Sequence, residues 1–83
     1  MNREEALVVL RYLLNECAGS LLARCVSLVP VAPRTLQDYG RYEVHIGCMV
    51  DDDLRRCINT VVNKHKLAMR QTGNTVILYR PKV

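Results

Sequence analysis

His45 and Cys48, three positions apart, and Cys57 and His65, eight apart, are residue types that hold a structural zinc ion. Such sites are normally built from two tight pairs, and no Cys-x-x-Cys occurs in the chain. Cys48 and Cys57 also fit the apolar faces of their predicted elements, where a free cysteine behaves as a small hydrophobe. Catalysis needs convergent role-players, and no nucleophile signature surrounds any cysteine. His65 falls on an apolar helix face, as a part-buried helix-end residue. Asp51, Asp52 and Asp53 have the density of a divalent-cation site, but a helix start already accounts for them. The four glycines are isolated, so no phosphate-cradling loop is encoded. The expectation is no metal, no cofactor and no enzyme.

Charge is more informative. Residues 1–50 balance five basic against five acidic side chains, whereas residues 54–83 contain seven cations and no anion. The net charge of +4 therefore sits entirely in the last part of the chain, which points to an acidic partner. Arg55, Arg56, Asn59, Asn63 and Lys66 map to the outward side of a predicted helix. With Arg70, Tyr79, Arg80 and Lys82 they compose a basic surface with one stacking ring, the mixture that RNA and single-stranded DNA favour. The function expected is a small nucleic-acid-binding domain without catalysis, using this helix–hairpin surface. The alternative is a protein–protein interaction module, docking an acidic protein or dimerising within a larger assembly.

Five elements position these residues. Leu7, Leu10, Leu14 and Cys17, widened by Val8 and Leu13, predict a helix over 3–17, with Asn2 and Glu5 as a capping box. Tyr42, Val44, Ile46 and Cys48 alternate with Arg41, Glu43, His45 and Gly47, predicting a strand over 42–48. Leu54, Cys57, Ile58, Val61, Val62 and His65 form the stripe of a helix over 51–65, capped by Asp51. Gly73-Asn74 joins strands 67–71 and 75–80 in a two-residue hairpin, with Leu67 and Met69 on the face of Val76 and Leu78, and Ile77 on the other. Gly19 marks the end of the first helix. Residues 20–33 read as either a helical turn or an edge strand, since Pro30 and Pro33 exclude a helix interior and a central strand. Residues 1–83 thus make a single α+β domain, an antiparallel three- or four-stranded sheet backed by two helices.

A helix followed by a hairpin also fits a winged helix, with 51–65 for recognition and 67–80 as wing. Recognition helices present their N-terminal residues to the major groove, and phosphates would repel the three aspartates there. The stretch "LRRCINTVVNKHKLAMRQTGNTVILYRP" resembles the second half of R3H single-strand-binding domains. That family's Arg-x-x-x-His falls on Arg55 and position 59, which is Asn here, so no functional residue is carried over.

Nearly half the residues are apolar (49 %), yet Phe and Trp are absent, so the core is thin for a chain of 83 residues, and dimerisation would compensate. The opening "MNREEALVVL" carries acids where a secretory signal is basic, and no apolar run reaches membrane-spanning length. The expectation is an intracellular chain, cytoplasmic or nuclear, with four reduced thiols and no membrane partner.

Overall fold

The computed structural model describes residues 1–17, 24–32 and 40–81. Its elements are α1 (Arg3–Glu16), β1 (Val26–Pro30), β2 (Tyr42–Ile46), α2 (Asp52–His65), β3 (Ala68–Thr72) and β4 (Thr75–Tyr79). The strands form one antiparallel sheet in the order β1-β2-β4-β3. Both helices pack on the same face of it. This is the expected α+β domain, with β1 as the fourth, edge strand. The β3–β4 hairpin does not stand out as a wing, because β4 pairs with β2 in mid-sheet and α2 lies on that sheet. The expected stop at Gly19, the stretches 18–23 and 33–39, and Lys82 lie outside the described residues.

Asn2 caps α1, its Oδ1 accepting from the Glu5 N–H at 2.7 Å. The return bond expected of Glu5 is not made, because its carboxylate accepts instead from Arg80 Nε at 2.6 Å. The buried row is Ala6, Val9, Leu13 and Cys17, one position round from the expected leucines. Leu7, Leu10 and Leu14 flank it half-buried, and Val8 is 52 % exposed. Periodicity weighs leucines alike, whereas packing selects the row whose small Ala6 admits close approach to the sheet.

In α2, Asp51 Oδ1 accepts from the Leu54 N–H at 2.7 Å, and Asp52 and Asp53 occupy the first turn. Lys64 and His65 occupy the last turn, and Lys66 ends the helix in the left-handed region at φ 55°. Carboxylates at the start and cations at the end both suit the helix dipole. Leu54, Ile58 and Val61 are buried against Val44, Ile46, Val76 and Leu78 of the sheet.

The hairpin closes on the Thr72–Thr75 pair, with Gly73 at φ 59° as the first turn residue. Met69 therefore opposes Leu78 on the helix-covered face, as expected. Ile77 does take the other face, but it is only 6 % exposed rather than an apolar patch. Its cross-strand neighbours His45 and Arg70 stand on either side and cover it.

The reduced thiols expected from the sequence are not found: Cys17 is bonded to Cys57 and Cys25 to Cys48. Cys17 and Cys57 do sit on apolar helix faces, and those faces meet, with Cα atoms 5.8 Å apart. The Gly47 N–H donates to Cys25 O at 2.8 Å, extending the β1–β2 ladder by one step and bringing Cys48 alongside. Both contacts come from tertiary register, which the one-dimensional pattern does not contain. Among the described residues no helix is long and apolar enough to cross a membrane.

Non-reducing peptide mapping is expected to find the cross-links 17–57 and 25–48. Reduction should lower the thermal midpoint strongly, since closing loops of this size contributes about 3–4 kcal/mol each in the chain-entropy account. Four titratable thiols in the denatured, unreduced chain would contradict the pairing.

Candidate nucleic-acid interface

Alternation along the strands sends Glu43 and His45 of β2, Ile77 and Tyr79 of β4, and Arg70 of β3 to the face away from the helices. They form a connected row. His45 Nε2 and Glu43 Oε1 are 3.2 Å apart, and Arg70 donates to Glu43 Oε2 at 3.4 Å. The Arg70 guanidinium lies 5.1 Å from the Tyr79 ring centroid, within reach of a cation–π interaction. Glu43 thus holds Arg70 across β4, and the guanidinium partly covers the tyrosine. Ser27 stands opposite His45 in register, with no hydrogen bond between their side chains among the described residues.

Beside this row opens a cleft of about 480 Å³. Arg41, Arg70 and Arg80 line it with Tyr42, Tyr79 and Glu43. Met1 closes one wall, buried, with its carbonyl accepting from the Tyr42 N–H at 2.6 Å. Burial lowers the pKa of its ammonium below the ordinary value, and the nearby Glu5 opposes this. Among the described residues three guanidinium groups line the cleft with one carboxylate, Arg70 being paired with Glu43 and Arg80 with Glu5 outside the lining.

Arg80 is committed differently from Arg70. Its Nε donates to Glu5 Oε1 at 2.6 Å and its NH2 group to the His65 carbonyl at 3.2 Å. One guanidinium thereby ties the first turn of α1 to the last turn of α2, satisfying a carbonyl left over at the helix end.

The nine residues expected from the sequence do not form one surface. Arg55, Arg56, Asn59, Asn63 and Lys66 are exposed on α2, in the helical layer. Arg70 and Tyr79 belong to the opposite face of the sheet, Arg80 joins the layers at one end, and Lys82 lies outside the described residues. The groups approach at the edge of β3, where Arg55 and Arg70 flank a smaller groove of about 230 Å³, and at the end of α2, where Arg80 meets the His65 carbonyl beside Lys66. Charge counting missed Arg41, Tyr42 and Glu43, which belong to the neutral first part of the chain. Their signal was the outward phase of Arg41 and Glu43 on the predicted strand, which pairing with β4 brings level with Tyr79. Cys48 and Cys57 are in separate disulfides, so they form no common ligand set with His45 and His65. Among the described residues no group of three or more His, Cys, Asp or Glu is placed to hold a metal ion.

No protein family, curated protein or solved structure was found to match this chain.

The two arginines should separate in a denaturant titration. Arg80→Ala is expected to lower unfolding free energy by about 1–2 kcal/mol, losing an ion pair and a helix-end hydrogen bond. Arg70→Ala, whose side chain is 51 % exposed, loses a surface ion pair and part of the cover over Ile77 and should cost less, about 0.5–1 kcal/mol. Equal costs would remove the distinction between a clamp and a surface arginine.

Proposed function

We propose that this domain binds single-stranded nucleic acid, RNA or single-stranded DNA, on the open face of its sheet and in the adjoining cleft, without catalysis. One observation carries it: Tyr79 shares a cleft with Arg41, Arg70 and Arg80 at one end of the sheet, beside the face the helices leave uncovered. A base stacks on the tyrosine ring, and the guanidiniums of Arg41 and Arg70 meet the phosphates on either side. Glu43 accepts from an exocyclic amine where Arg70 turns away from it to phosphate. Arg80 adds charge at the end of the cleft while keeping its structural bonds. The helical residues Arg55, Arg56, Asn59, Asn63 and Lys66 lie behind this surface and act only through the long-range field.

Two disulfides and a nucleic-acid ligand are compatible where intracellular proteins are themselves disulfide-rich, as in hyperthermophiles. A reducing cytosol does not suit this chain.

Oligonucleotide binding at low salt tests the proposal. Affinity should fall steeply as salt is added, because phosphate contacts release counterions. Arg70→Ala and Arg41→Ala should each flatten that slope by about one unit. Tyr79→Ala should cost on the order of 1–3 kcal/mol. Arg56→Ala, on the far layer, should change little. Absence of binding at low salt sinks the proposal; an Arg56→Ala effect equal to that of Arg70→Ala moves the site to the helix.

A further inference from the structure

Sheet edges present unpaired backbone groups, and most proteins blunt them. The β1 edge is blunted, ending on Pro30, which has no N–H to offer. The β3 edge carries neither proline nor bulge. Thr72 and Thr75 close a two-residue hairpin and so form a hydrogen-bonded pair. Alternation then turns the backbone groups of Arg70 and Ala68 toward β4 and leaves those of Met69 and Gln71 pointing outward. The Met69 side chain is 37 % exposed, above the groove of about 230 Å³ that β3 shares with α2.

We propose that this edge pairs with β3 of a second copy, antiparallel about a two-fold axis at Met69. The two Met69 residues exchange both backbone bonds, and each Gln71 N–H reaches the Leu67 carbonyl of the other copy. Ala68 then stands opposite Arg70. An axis at Arg70 would instead set two guanidiniums face to face, which is destabilising.

Charge selects the occupant. At 100° per residue, Asp52, Arg55 and Asn59 share the flank of α2 that borders the groove over β3, away from the flank where Cys57 and Lys64 meet α1, and Lys66 follows at the end of the helix. Measured from Lys66, three strand residues to Met69 advance about 10 Å and seven helix residues to Asn59 about 10.5 Å. Asn59 is therefore level with Met69. The same axis runs the two α2 helices antiparallel, with Asn59 facing Asn59 and Asp52 facing Lys66 of the second copy, twice over. Helix dipoles oppose as well. An added acidic peptide, by contrast, would meet Asp51–Asp53 at one end of the groove. This pairing stands independently of nucleic-acid binding, although it would double the length of the open sheet face.

Light scattering on the disulfide-bonded chain at micromolar concentration should give twice the monomer mass. Met69→Pro removes an N–H that the hairpin does not use, so it should give a folded monomer by circular dichroism. Gln71→Pro does the same from the next outward position, should Met69→Pro fail to fold. Lys66→Asp should weaken the dimer about tenfold, and adding Asp52→Lys should restore it. A chain that is monomeric throughout overturns the proposal, whether or not it takes up an acidic peptide at this edge. So does a dimer that is indifferent to both prolines and to the charge exchange.

Discussion

The Cys17–Cys57 bridge joins the end of α1 to the first half of α2, and the interior is arranged around the crossing it fixes. Beneath that crossing lie Val9, Leu13, Ile58 and Val61, all essentially without solvent exposure, over Val44, Ile46 and Leu78 of the two central strands. These are small and medium aliphatic side chains. With no Phe or Trp in the chain, area alone gives a modest hydrophobic term for a domain of this size. Covalent closure acts on the other side of the balance, by removing freedom from the unfolded chain. Cys25–Cys48 does the same across β1 and β2, at one edge of the sheet. The far ends of the two helices, away from the Cys17 bridge, are joined by Arg80, and the Lys64 ammonium lies 4.5 Å over the Tyr12 ring between them.

Covering one face of the sheet with both helices leaves the other to fend for itself. That face holds an isoleucine in its centre, and polar neighbours bury it. Ile77 is closed over by His45 and Arg70, and Arg70 is kept in place by Glu43 and by the Tyr79 ring. The same residues that shield an apolar side chain are therefore held ready in a fixed array. Long charged side chains cover hydrophobic surface with their stems and keep their heads in water. Order on this face needs no ligand, which lowers the entropic cost of any ligand that fits it.

The elements were legible because each has a local cause. Asn2 and Asp51 cap their helices as their positions indicate, β2 alternates with period two, and Gly73-Asn74 forms the turn its first residue favours. What local pattern does not contain is which residues lie next to one another across elements. The disulfides escaped for this reason, although the faces carrying Cys17 and Cys57 were identified. The displaced stripe of α1 has the same origin: Ala6 outranks Leu7 because the sheet must come close. The candidate site was only partly legible. Arg70 and Tyr79 were found by their charge and ring, whereas Arg41 and Glu43 became relevant through the β2–β4 pairing. The α2 residues were grouped with them by sequence proximity, and the two-layer architecture separates them.

The run of acids followed only by cations is thus not one feature with one cause. Asp51, Asp52 and Asp53 serve the start of α2, through a side-chain cap and through the helix dipole. Lys64 lies over Tyr12, and Arg80 holds Glu5 and the His65 carbonyl. These three assignments use charges to build the molecule, and they account for both ends of the helix. Arg70 remains on the sheet face, with Arg41 from the neutral half supplying its companion across the cleft. A helix with acids at one end and a lysine at the other is, moreover, complementary to an antiparallel copy of itself. The polarity that stabilises α2 within one chain is the polarity that β3 pairing would match between two.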